Sequence, residues 1–245
     1  MTRYANQTQR LEPVQKRLPT MYDLPSENPE EPGLPDEFHD LQPELLSATL
    51  RWPEVKGDRI FTGTDLNLYF DLQHPLWYKR PDWFVVVGVP RLYAERDMRM
   101  SYVVWDEGVS PTAIVELLSE GTDKEDLGLT ESIPGKPPTK WVVYEQILNV
   151  PHYVLYDRHN DVLRAYRLEN GRYQAQDIEN NQTWMPDLKI GLGLWQGEYK
   201  GIDRKWLRWL DADGTWIPTP LEQAEAKAAR LAERLRELGI DPDKV

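Results

Sequence analysis

The amino-acid sequence predicts an α/β fold: a mixed central sheet flanked by helices and followed by a C-terminal amphipathic helix. Three observations carry that reading. Short runs of β-branched and aromatic residues alternate with segments of helical spacing. Two of those runs, Phe84–Val87 and Ile114–Leu118, lack polar alternation, as strands covered on both faces do. Asn170-Gly171 then joins two further strand-like runs, and a tight hairpin needs residues that accept positive φ at both central positions.

The elements follow in order. Residues 1–35 read as a proline-rich, acidic arm, because Pro13, Pro19, Pro25, Pro29, Pro32 and Pro35 prevent a continuous helix or a central strand. The main domain, residues 36–217, opens with a helix from Pro35 to Leu50, where Leu34, Phe38, Leu41, Leu45 and Thr49 recur at intervals of three and four, with Pro43 a potential break. Strands follow at Phe84–Val87, Tyr102–Trp105 and Ile114–Leu118, the first and third in the middle of the sheet. Lys140–Leu148 returns to helical spacing through Trp141, Tyr144, Ile147 and Leu148, and Pro151 stops it. Tyr153–Tyr156, Val162–Leu168 and Tyr173–Ile178 then form a meander. In the C-terminal segment, residues 218–245, Thr219 caps, Pro220 takes the first helical position, Glu222 completes a capping box and Gly239 ends the helix. Its apolar residues Leu221, Ala224, Ala228, Leu231, Leu235 and Leu238 form a heptad seam, which either packs on its own domain or pairs with another chain.

Composition narrows the function. With 245 residues, 40% of them hydrophobic, the chain is globular, and it contains no apolar run that would span a bilayer and no apolar leader, so a cytoplasmic location without membrane partners is expected. The absence of cysteine excludes disulfides, thiolate nucleophiles and zinc ribbons; His39, His74, His152 and His159 make no ligand pair at helical spacing. A metal would be held mainly by oxygen, which favours magnesium, manganese or calcium. The net charge of −12 argues against a protein that coats nucleic acid, but residues 22–46 hold eight acidic residues and no lysine or arginine, so the remainder is only mildly acidic. Gly191-Leu192-Gly193 lacks dinucleotide spacing, no phosphate-loop motif occurs, and the many tryptophans are expected to pack the interior rather than to bind sugars.

Glu116 stands out, because a carboxylate on an otherwise apolar strand must be compensated. An ion pair or an edge position would suffice; a metal or catalytic role is the alternative. Asp82, after Pro81 at the entrance of the first apolar strand, fits a turn by itself but gives Glu116 a partner for one hard cation. Lys140 is a third candidate, since a cation at a helix start opposes the helix dipole.

The stretches PDWFVVV, IVELLSEGTDKED and KWVVYEQILNVPHYVLYD, through Pro81, Asp82, Glu116, Ser119, Thr122, Asp126, Lys140, Tyr144, Val150, Pro151 and Tyr153, resemble the Uma-two family of bacterial restriction-endonuclease-like proteins, within the PD-(D/E)XK nuclease superfamily. The resemblance implies a restriction-endonuclease-like fold and a metal-dependent endonuclease acting on nucleic acid, with DNA the expected substrate. It further implies that Asp82, Glu116 and the Leu117 carbonyl bind Mg2+ or Mn2+ and that Lys140 is catalytic. The sequence departs from the superfamily in carrying Leu118 where a lysine follows the acid by two residues, which leaves Lys140 or Lys124 to supply it; it also carries an insertion at residues 128–139 and has His152 in place of a glutamate. A nuclease-fold protein that no longer cleaves and serves as a dimerising interaction module through its C-terminal helix is the rival reading.

Overall fold

The structure is a computed structural model that describes residues 36–52, 55, 57–119 and 123–242; the expected N-terminal arm, residues 1–35, lies outside them. The strands are β1 (Ile60–Thr64), β2 (Leu68–Tyr69), β3 (Tyr78–Lys79), β4 (Trp83–Val87), β5 (Tyr102–Val103), β6 (Ala113–Leu117), β7 (His152–Asp157), β8 (Val162–Glu169), β9 (Arg172–Ala175), β10 (Gln182–Met185), β11 (Ile190–Tyr199) and β12 (Ile202–Leu210). The helices are α1 (Phe38–Thr49), α2 (Val104–Glu107), α3 (Asp123–Asp126), α4 (Lys140–Val142), which runs on as a π-helix over Val143–Ile147, and α5 (Pro220–Glu237).

A six-stranded mixed sheet in the order β1-β4-β6-β7-β8-β9 forms the centre. The β6–β7 pair is parallel, and α3 and α4 lie in its crossover. The two apolar runs occupy β4 and β6, each flanked by strands on both sides, as their composition predicts. Pleating sends alternate side chains to opposite faces. Trp83, Val85, Val115, Leu117 and Val154 pack on one face with α1 and with Leu192, Trp206 and Trp209 of a second sheet, β10-β11-β12. Phe84, Val86, Ile114, Tyr153 and Leu155 pack on the other, beneath Val143 and Tyr144. Helix α1 stays continuous through Pro43 and is tied to β12, because Gln42 donates from Nε2 to the Leu207 carbonyl at 2.7 Å and accepts the Leu207 N–H at 2.8 Å.

Two expectations are corrected and one open alternative is narrowed. Tyr102–Trp105 is a strand only over Tyr102–Val103; Val104 and Trp105 turn into α2, which ends at Gly108 with φ +72°, and β5 joins β2 and β3 in a small separate sheet. Glu107 draws the chain into that turn through a bidentate pair with Arg99, at 2.6 and 2.8 Å. The run at Tyr173 is strand over Arg172–Ala175 alone. Of the two readings left open for the seam of α5, packing on its own domain finds no support among the described residues: Leu221, Leu231 and Leu238 are 67, 54 and 61% exposed. The helix is capped as the sequence predicts and fastened at its start by the Glu222–Arg208 ion pair.

Strands β10–β12 were not legible in the sequence, since Gly191, Gly193 and Gly197 weaken any strand pattern. A Cβ at Gly191 would come within 2.8 Å of the Leu210 side chain, so the glycines serve close packing. Among the described residues no helix is long and apolar enough to cross a membrane.

Candidate active site

Antiparallel register pairs Trp83 with Val115, which places Asp82 opposite Glu116, and residues directly opposite in a ladder share a face. The two residues are cross-tied. The Asp82 N–H donates to Glu116 Oε2 at 3.2 Å, and the Leu117 N–H donates to Asp82 Oδ2 at 2.6 Å. Each acid thus holds the backbone of the other's strand.

Above them sits the start of α4. Thr139 caps it, its hydroxyl accepting from the Val142 N–H, and Lys140 and Tyr144, four residues apart, face the same side. Lys140 Nζ lies 3.1 Å from Glu116 Oε2 and 2.8 Å from Asp126 Oδ1, while the Tyr144 hydroxyl donates to Glu116 Oε1 at 2.8 Å. Both oxygens of Glu116 are therefore engaged. Glu125 pins the helix start by accepting the Lys140 N–H at 2.8 Å, and Lys79 meets the same oxygen at 2.7 Å.

The electrostatics follow from burial. Glu116 and Asp126 are fully buried, and neither Asp126 oxygen receives an aligned hydrogen bond. Burial pushes the Glu116 carboxyl well above its ordinary range and raises Asp82, with Lys140 opposing both shifts. Burial alone would lower the Lys140 ammonium, but Glu116, Asp126 and Asp82 together raise it well above the usual value. It stays protonated. The Tyr144 hydroxyl is raised by burial and by Glu116, so it remains a donor.

From the opposite face, buried His39 reaches the end of β6. Its Nε2 lies 3.1 Å from the Leu117 carbonyl and its Nδ1 lies 2.9 Å from Asp36 Oδ1, and since both partners are acceptors the ring carries both protons. Burial works against that proton, but Asp36 and Asp82 hold the pKa above the ordinary value. Asp36 is in turn paired with Arg158.

The structure thus brings together Asp82, Glu116, Lys140 and the backbone of Leu117. Lys124 is exposed and makes no ion pair with these acids among the described residues; Thr122 lies outside them. Asp126 and His39 complete the constellation, and sequence reasoning gave neither a role. Asp126 was visible only as a matching position, and His39 approaches Leu117 across 78 residues of chain, beyond any local pattern. His152 is not part of it; buried at the start of β7, it pairs with Asp187 at 3.0 Å.

Among the described residues no three carboxylate or imidazole groups converge tightly enough to enclose an ion by themselves. Two acids offer oxygen ligands of the kind a hard cation takes while keeping several waters, and the Leu117 carbonyl, which also meets His39, is a third oxygen at the same strand end. A further positive charge also suits the setting, because Asp82, Glu116 and Asp126 surround the single ammonium of Lys140, His39 is already paired with Asp36, and burial keeps Glu116 and Asp82 hard to ionise without another cation.

Comparison with family models matches residues 6–200 to Uma2, described as "Putative restriction endonuclease". Comparison with curated proteins gave no match.

Proposed function

The chain belongs to the Uma2 family, and from that premise we propose that it is a divalent-metal-dependent endonuclease that hydrolyses phosphodiester bonds of nucleic acid, with DNA as substrate. The observation that carries the reading is the buried excess of acid around Lys140, an arrangement a structural ion pair would not need. Asp82, Glu116 and the Leu117 carbonyl would hold Mg2+ or Mn2+. When bound, the ion supplies Lewis-acid polarisation of the phosphate and a water of lowered pKa. Lys140 orients the attacking water and stabilises the negative charge that develops on the phosphoryl oxygens. Tyr144 fixes the Glu116 carboxylate, and His39 fixes the strand end that carries the Leu117 carbonyl.

The test is cleavage of plasmid DNA with Mg2+ or Mn2+, by the full chain and by Glu116→Gln. Cleavage that needs both the metal and Glu116 is the expected result; a plasmid left intact by the unaltered chain under every metal overturns it. The rival, an inactive nuclease fold that dimerises through α5, draws on the exposed seam of that helix, and the intact plasmid would favour it.

A further inference from the structure

A hydrolase whose site is lined with carboxylates must hold a polyanion beside them, and the chain's net charge of −12 gives no general attraction. A local cation is required. Most arginines set into the fold are committed to acids: Arg80 to Asp65, Arg99 to Glu107, Arg158 to Asp36 and Arg208 to Glu222. Arg164 is not. Its Nη1 is buried without a hydrogen-bond partner, and among the described residues no acid pairs with it.

Register fixes where Arg164 stands. Glu116 is opposite Leu155 in the β6–β7 pair, and Leu155 is opposite Arg164 in the β7–β8 pair, so Asp82, Glu116, Leu155 and Arg164 form one row across the sheet. Residues in one row share a face. Arg164 therefore lies on the same face as the acids, two strands from Glu116, or about 10 Å at the usual strand spacing. It lines a cavity of about 260 Å³ with Ser119, Asp123, His159 and Asn160, at the end of the strand that carries Glu116.

Two carboxylates also line that cavity, Asp123 and Asp157. Asp157 is occupied with the β7–β8 turn, accepting from the N–H groups of His159 and Asn160 at 3.0 and 3.2 Å and from Asn160 Nδ2 at 2.8 Å. Asp123 opens α3 and makes no ion pair with Arg164 among the described residues. Among the described residues, the two carboxylates of the cavity thus leave Arg164 unpaired.

We propose that Arg164 and this cavity form a subsite for a phosphate of the substrate strand, beside the phosphate held at Asp82 and Glu116. The proposal rests on the hydrolase reading and deepens it by naming how the strand is gripped. A guanidinium suits the task, because its planar fork meets two phosphate oxygens at once.

The experiment measures binding of fluorescein-labelled DNA and RNA duplexes to the full chain, with Ca2+ in place of Mg2+, across a salt series. For whichever duplex binds, Arg164→Met is expected to weaken affinity about eightfold at 0.1 M salt and to flatten the salt slope by about one, the signature of one lost phosphate contact. Arg164→Lys should keep the slope, and both variants should keep the melting shift produced by metal alone. If Arg164→Met binds with unchanged affinity and slope, the subsite is wrong, and cleavage that still depends on Glu116 would leave the hydrolase reading standing. If the unaltered chain neither binds nor cuts either duplex, both fall.

Discussion

A carboxylate in the middle of an apolar strand is stable only where its ionisation is compensated or suppressed, and Glu116 shows both at once. Lys140, Tyr144 and the Asp82 N–H compensate it, while burial raises its pKa well above the ordinary value. A raised carboxyl pKa contributes stability that is present below the unfolded value of 4.5 and is lost as pH rises through the folded one. Glutamine mimics the protonated acid at every pH. Glu116→Gln without metal should therefore melt with the unaltered chain near pH 5 and above it at pH 8; a lower melting point at pH 8 would mean that the ionised acid is structural. Lys140 invites the opposite expectation. Removing it leaves Glu116 and Asp126 buried without their shared ammonium, so Lys140→Met should destabilise the chain by about 3 kcal/mol at pH 8, with recovery as pH falls and the acids protonate. Cleavage by the same variant should fall by about 10²-fold, because the group that steadies the developing charge is gone. Unchanged cleavage would make Lys140 dispensable for catalysis and reopen the place of Lys124.

At the scale of elements, periodic patterns were legible where one face or both faces of an element are apolar. The runs in β4 and β6, the hairpin at Asn170-Gly171, whose φ values are 52° and 75°, and the capping box of α5 all follow from local chemistry. What misled was context. Val104 and Trp105 have strand composition, yet an ion pair between Arg99 and Glu107, both nearly buried, bends that stretch into a helical turn. The partner of α5 was likewise unreadable, because a heptad seam says that a helix has an apolar stripe and not what covers it. Its anchor yields a test. Arg208 is buried and spends its donors on the Ile217 carbonyl and on Glu222, so Glu222→Ala removes both the capping box and the only acid paired with that guanidinium among the described residues. The loss should be about 2 kcal/mol, read as a lower melting temperature, after allowance for the half-exposed position of Glu222. An unchanged melting point would show that α5 is independent of the sheet.

At the scale of the whole molecule, the candidate site was half legible. Glu116 announces itself by its strand, Asp82 by its place after Pro81 at a strand entrance and Lys140 by its place at a helix start, whereas Asp126 was visible only as a position in a family pattern, and His39 and Arg164 take their places through the packing of distant segments that no local spacing encodes. The balance of charge that results governs substrate binding. Carboxylates at the centre of an acidic chain repel a phosphate backbone, and the single ammonium of Lys140, shared between two of them, does not cancel that repulsion before the metal binds. A divalent ion between Asp82 and Glu116 would reverse the sign of the field at the point where the scissile phosphate must lie. DNA affinity should therefore depend on metal before any bond is cut, with binding at low salt in Ca2+ at least tenfold tighter than in a chelator. Glu116→Gln should lose most of that difference, because it removes a ligand while making the site one charge less repulsive: its affinity in the chelator should rise as its response to Ca2+ shrinks. Equal binding of DNA by the unaltered chain with and without Ca2+ would mean that the strand is held away from the acids, and Asp82 and Glu116 would then have to be read as parts of the fold.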